Sequence, residues 1–145
     1  MAETALTETM IRHAVARWYR ALDRHDELPD VLPYLTDDEL EMRFPETTVR
    51  GHAGFKGWYD TVIRKFFDEE HTVKSVDVEL HGPTTATARV LVNWQARVWE
   101  PPEPQSHWLG FDAYQTWEIR LKNGEPVVET YSVDFFDPMP GSAKL

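Results

Sequence analysis

Asp23 and His71 are the two residues of this sequence whose type and setting suit proton transfer. Asp23 follows Leu22 of an apolar stripe and lies four residues after Tyr19, so on a helix Tyr19 and Asp23 share a face beside that stripe. A carboxylate on the margin of a buried face is where a pocket group sits, and Tyr19 would then donate a hydrogen bond to a ligand oxygen. The plain alternative is a solvated helix-end acid paired with Arg20 or Arg24. Asp26 competes for the same place but is explained as well by capping the next helix. His71 opens a strand-like run directly after Asp68, Glu69 and Glu70. Its alternative is an exposed loop histidine.

Other chemistries lack their residues. With no cysteine there is no thiol nucleophile, thiolate ligand or disulfide. The six histidines never form His-x-His or His-Glu-x-x-His, so no metal is expected. No Gly-x-Gly-x-x-Gly, P-loop or Gly-x-Ser-x-Gly string occurs, so neither a nucleotide cofactor nor a serine nucleophile is expected.

The elements that must position these residues change along the chain. Ile11, Val15, Trp18 and Leu22 mark one stripe of an amphipathic helix, which Thr4 or Thr7 could cap. A short helix is predicted over about 29–35, then a strand over 40–44 ended by Pro45. Phe55, Tyr59, Val62 and Phe66 carry a second long helix over about 53–67. From there the period becomes two: strands are predicted over 71–81, 84–99, 108–122 and 126–136, with Asn123-Gly124 closing the last hairpin. Pro101–Pro104 reads as a stiff loop, and no linker divides residues 1–145, which are expected to form a single domain.

Helices followed by antiparallel strands predict an α+β fold. Strands this long must twist, so the sheet should curve round the N-terminal helices as a cone and enclose a pocket. Trp94 shares its face with the small Ala86 and Ala88, which suit packing against helices, so Trp94 is read as a wall for a flat ligand. Asn93, Gln95 and Arg97 face the other way. Phe55, Tyr59 and Trp117 are assigned to the same wall, with plain core packing as their alternative.

Six tryptophans, seven phenylalanines and five tyrosines are many for 145 residues, and they fit a hydrophobic, aromatic or polycyclic small-molecule partner. Fifteen Lys and Arg stand against twenty-five Asp and Glu, a net charge of −10, which argues against nucleic acid and anionic membranes as partners. No apolar run approaches the roughly 18 residues of a membrane span, nor do the first 25 residues hold a signal peptide's apolar centre, so a cytoplasmic location is expected.

Several ordered strings carry a family resemblance. They are Trp18-Tyr19-x-x-Leu22-Asp23, Leu35-Thr36-Asp37-Asp38, Gly51 leading into a helix ending Phe66-Phe67, His71-x-Val73-x-Ser75-Val76, the turn from Gly82 to Ala86, and Phe135-Phe136-Asp137-Pro138-Met139. Together they resemble the SnoaL-like branch of the nuclear transport factor 2-like superfamily over about residues 7–140. The resemblance implies the cone fold, a small-molecule pocket and a homodimer through the sheet's outer face. It places Asp23 and His71 on the Asp–His pair of its dehydratase- and dehydrochlorinase-type members. There the carboxylate orients the imidazole, whose free nitrogen takes a proton from carbon without a cofactor.

The resemblance also has departures. The dehydrochlorinase-type members carry a lysine where this chain has Trp18, and a late-strand arginine where it has Val128 or Glu129. Trp18 is therefore assigned to ligand contact, and Tyr19 and Tyr34 stand for the tyrosines of dehydratase-type sites. A cyclase-type site needs a late-strand acid. Asp112, Glu118, Glu129 and Asp134 all qualify, and Asp134 is assigned to the wall; one residue of register decides which faces inward. The implied activity is a lyase or isomerase, dehydratase- or cyclase-like. The alternatives are a non-catalytic binding or assembly protein and a small structural subunit of a ring-hydroxylating dioxygenase.

Overall fold

The computed structural model describes residues 5–145. Helix α1 (Glu8–Asp23) buries Ile11, Val15, Trp18 and Leu22 as its spacing requires. Thr7 caps it, its Oγ1 accepting the Met10 N–H at 3.1 Å, while Thr4 lies outside the described residues. Beyond Asp23 the chain reverses through His25, a non-glycine residue at φ +53°. The expected short helix is instead α2 (Leu28–Val31) followed by a 3-10 turn (Leu32–Tyr34). Pro33 has no N–H with which to continue an α-helical ladder.

Strands β1 (Glu41–Arg43) and β2 (Thr48–Arg50) form a small hairpin, of which β2 was not predicted because three residues cannot display an alternation. Helix α3 spans Gly51–Lys65, two residues shorter at its end than its aromatic stripe suggested. Phe66 is already extended, at φ −106° and ψ 144°, yet its ring stays buried, so the stripe reads across the boundary. Consequently β3 (Phe66–Leu80) begins five residues before the expected start at His71. β4 (Thr85–Val98), β5 (His107–Lys122) and β6 (Glu125–Pro138) occupy their expected ranges to within two residues.

The strands form one curved, unclosed sheet in the order β2-β1-β6-β5-β4-β3, with only β1 and β6 parallel. Helices α1 and α3 pack on its concave face, so the fold is the α+β cone that the sequence implied.

Four irregularities decide which side chains face the helices, one of them on β6 between Val128 and Thr130, which brings Tyr131 inward. Between Phe67 and Glu70 the register of β3 against β4 slips, with Asp68 at φ +51°. A bulge of this kind exchanges the two faces of a strand. Phe66 is buried before it, and Glu69, His71 and Val73 point inward after it. Without the bulge His71 would face outward. A second slip between Val73 and Ser75 keeps Val76 inside. On β6 the register slips opposite Tyr114 and Gln115, leaving Asp134 and Phe135 both exposed between the inward Val133 and Phe136.

Candidate functional site

Asp23 is the last residue of α1, and β3 brings His71 to it. The His71 backbone N–H donates to Asp23 Oδ2 at 2.9 Å and Oδ1 at 3.1 Å, while Nδ1 lies 2.5 Å from Oδ1. An ionised carboxylate can only accept, so this contact places a proton on Nδ1. In the neutral ring, Nε2 is then the acceptor. The Tyr19 ring stacks on the imidazole at 4.7 Å, and the Trp94 ring lies 6.4 Å away at 29° on β4, where Trp94 is paired directly with His71. Two rings and one Nδ1 contact thus hold the imidazole, and two backbone contacts fix the residue that carries it.

His71 opens into a cavity of about 790 Å³, within the usual range for small-molecule sites. Its walls are apolar and aromatic: Leu22 at the end of α1, Trp58, Tyr59 and Val62 of α3, Phe66 of β3, Val92 and Trp94 of β4, and Tyr131, Val133 and Phe136 of β6. Glu69 and Gln115 are its inner polar groups beside His71 and Tyr131. Glu46 and Lys65 are its further charged lining residues. Trp58 stacks on Phe44 at 3.8 Å and donates from Nε1 to Glu46 at 2.9 Å. Leu145 completes the lining. The tail that carries it is tied to β5 by bonds from Met139 N–H to Gly110 O, 2.9 Å, and from Ala143 N–H to Trp108 O, 2.9 Å.

Behind the imidazole runs a buried hydroxyl chain. Tyr19 donates to Gln115 Oε1 at 2.7 Å, so the 3.0 Å contact between its oxygen and that of Tyr131 has Tyr131 as donor. Trp117 Nε1 also donates to Gln115 Oε1, at 2.8 Å. Burial, followed by the neighbouring Tyr131, pushes the Tyr19 hydroxyl well above the ordinary phenol value, and burial takes Tyr131 to about 12. Tyr59, whose hydroxyl donates to Asp26 O at 2.6 Å, is pushed up to about 12, chiefly by burial. All three remain protonated donors at neutral pH.

The structure brings Asp23, His71, Tyr19, Tyr59 and Trp94 together and separates others. Tyr19 is 2% exposed, and its hydroxyl is spent on Gln115 rather than offered to the cavity. Trp18, Tyr34, Phe55 and Trp117 do not reach the cavity wall. Trp18 meets Tyr34 edge-on at 6.0 Å and Phe55 at 5.8 Å in the core beyond it. Asp134 is exposed, accepting from Thr116 at 2.6 Å and Ser132 at 2.9 Å, because the β6 slip between Val128 and Thr130 sets Ser132 and Asp134 on the outer face. None of the other three late-strand acids lines the cavity. Asp112 is engaged by Asn93 and Lys74, and Glu118 by Thr87.

The inward acid that sequence reasoning missed is Glu69. Its spacing of two from His71 was a usable signal, but the acidic run that contains it reads as a solvated loop. Gln115 and Tyr131 were also missed; Gln115 lies two residues from Trp117 on one face of β5, whereas Tyr131 lies between the two register slips of β6.

A curved sheet, helices on its concave face and a partly open cavity beside a carboxylate–imidazole contact define a pocket protein of the cone type. The SnoaL-like domain profile matches residues 3–125, and the chain belongs to that family. No curated protein matches the chain by sequence.

Solved structures share the fold at low identity. A protein from Novosphingobium aromaticivorans, provisionally assigned as an aromatic ring hydroxylase, is 18% identical with a TM-score of 0.78, over 90% of this chain and 92% of its own. A type 2 hexachlorocyclohexane dehydrochlorinase is 14% identical with a TM-score of 0.75, over 94% and 91%. A provisionally assigned scytalone dehydratase, also from N. aromaticivorans, is 14% identical with a TM-score of 0.74, over 94% and 88%. Family and fold together support a ligand-binding or catalytic role in general.

Proposed function

We propose that the protein is a cofactor-independent lyase or isomerase acting on a hydrophobic, flat small molecule. His71 is the base and Asp23 its orienting partner. The observation that carries this reading is the 2.5 Å contact of Asp23 with Nδ1 of a histidine that lines a cavity of about 790 Å³. With Nδ1 committed to the carboxylate, Nε2 accepts a proton from an activated C–H of the ligand. In a lyase reaction the C–H electrons form a double bond as a leaving group departs with its bonding pair from the adjacent carbon. In an isomerase reaction they shift into an adjacent C=O or C=C, and the imidazolium returns the proton at another carbon. Asp23 stabilises that imidazolium. Tyr19 and Trp94 hold the ring by stacking, and Phe66, Trp94 and Phe136 supply flat walls for the ligand.

The reading extends to a single domain over residues 1–145, supported among the described residues by one sheet that receives both long helices. The protein is a cytoplasmic homodimer that pairs through the outer sheet face, where Tyr114 and Phe135 are 43% and 58% exposed. Light scattering of the wild type against Phe135→Asp tests the pairing.

The function is tested by native mass spectrometry of freshly purified protein, followed by incubation of the captured ligand with enzyme in D2O. Deuterium entering a carbon position with wild type but not with His71→Ala supports the base. A ligand that binds and stays unlabelled makes this a binding protein.

A further inference from the structure

Glu69 forms, with His25, a second carboxylate–imidazole pair at the cavity, in the reverse order to Asp23 and His71. In the first pair the imidazole faces the cavity and the carboxylate stands behind it. In the second the carboxylate faces the cavity, and the imidazole lies behind, with Nε2 at 2.5 Å from Glu69 Oε2. The Glu69 side chain is 8% exposed and that of His25 is 27% exposed. Burying a carboxylate in an aromatic wall is costly unless it is paired and hydrogen-bonded. Here it has both, for Trp94 Nε1 donates to Oε1 at 3.0 Å.

The backbone that presents this pair is strained. Among the described residues three non-glycine positions have positive φ: His25, Asp68 and Asn123. Asn123 makes the β5–β6 hairpin turn. The other two are His25 itself and the residue immediately before Glu69. Left-handed backbone is uncommon away from glycine, though His and Asp adopt it more readily than most residues, and it persists where the surrounding structure imposes it, often at ligand sites.

We propose that Glu69 is the ligand-anchoring residue of the cavity, accepting a hydrogen bond from a hydroxyl group on an otherwise apolar, aromatic ligand. A carboxylate has about four acceptor positions, and Trp94 and His25 use two of those on Glu69. The remainder belong to a side chain that lines the cavity. Phe66, Trp94 and Phe136 stack the ligand's ring, and Glu69 selects for the donor it carries. Glu69 and His71 lie on one strand face two residues apart, roughly 7 Å along the strand. The anchored hydroxyl therefore sits about one ring's width from the atom presented to His71. The proposal rests on the cavity being a small-molecule site, and it does not depend on His71 acting as a base.

The experiment compares 2-naphthol with 2-methoxynaphthalene, which has the same ring and no donor, by quenching of tryptophan fluorescence at neutral pH. Wild type is expected to bind 2-naphthol about tenfold or more tightly, the usual effect of a hydrogen bond to a charged group. In Glu69→Leu that preference falls to near one, and in Glu69→Gln, which keeps an acceptor and the side-chain shape, to an intermediate value. A purely structural Glu69 would change stability but not the ratio of the two ligands. Equal binding of the two by wild type overturns the anchor and leaves the cavity reading intact. Failure of folded wild type to bind either compound overturns both.

Discussion

The concave face has two aromatic ends that differ in one respect. At the filled end Trp18, Tyr34, Phe55 and Trp117 interlock, with Trp18 only 2% exposed. At the hollow end Phe66, Trp94 and Phe136 line the cavity, Phe66 meeting Trp94 edge-on at 5.1 Å, and Phe136 stacks on Phe111 behind the wall at 4.2 Å. The side chains are of the same kind, and at both ends they pack against the same sheet. What differs is the cover: α1 lies over the filled end and stops at Asp23, contributing only Leu22 to the cavity wall. A helix end thus creates the hollow and puts a carboxylate at its edge. The protein has a cavity where a helix runs out, not where aromatic residues are scarce.

The sharpest way to break this comparison is to truncate one tryptophan at each end. Trp18→Ala should cost about 3–5 kcal/mol of unfolding free energy, because the cavity it leaves is sealed. Trp94→Ala should cost clearly less, since its ring already borders empty space, while abolishing stacking of aromatic ligands. Urea unfolding of both variants decides, and equal losses would mean that the two ends are not different environments.

Asp23→Asn comes next in size and acts at the boundary between the ends. It should leave the cavity in place and reduce deuterium transfer to the captured ligand by about 10²–10⁴ if His71 is the base. Histidine ¹⁵N NMR should show the loss of the fixed Nδ1–H tautomer. An unchanged tautomer would mean that a side-chain oxygen at position 23, not the charge of the carboxylate, suffices to orient the ring.

The buried phenols give a pH signature for the hydroxyl chain between the ends. Tyr131 and Tyr59 titrate near 12 when folded and near 10 when unfolded. Below pH 10 both states keep these protons, so the two groups leave stability unchanged. Between about pH 10 and 12 the unfolded state loses them first and stability falls. The slope of unfolding free energy over that window should flatten in Tyr131→Phe, and an unaltered slope would remove Tyr131 from the cause. The smallest effect is expected far from both ends: Thr7→Ala should cost about 1 kcal/mol through its lost cap, with ligand binding unaffected.

Much of the frame was legible in the chain because it rests on periodicity. The α1 stripe, the three long strands after it and the inward face of Trp94 follow from spacings of 3.6 and 2. The Asp23–His71 contact was legible through ordered strings that resemble a family. Glu69 was not, because its inward aim depends on one extra residue in β3. Asp134 failed as a wall residue for the mirror reason, a bulge on β6 that turned it out.

By itself, then, the sequence determined the elements, their order and a surplus of aromatic rings, because short-range steric preference and hydrophobic period are written in neighbouring residues. Tertiary structure alone decided which rings became core and which became wall, and which acid entered the cavity. Those outcomes turn on where α1 stops over the sheet and on single-residue register slips between strands. Both are relations between distant segments, and no local spacing encodes them.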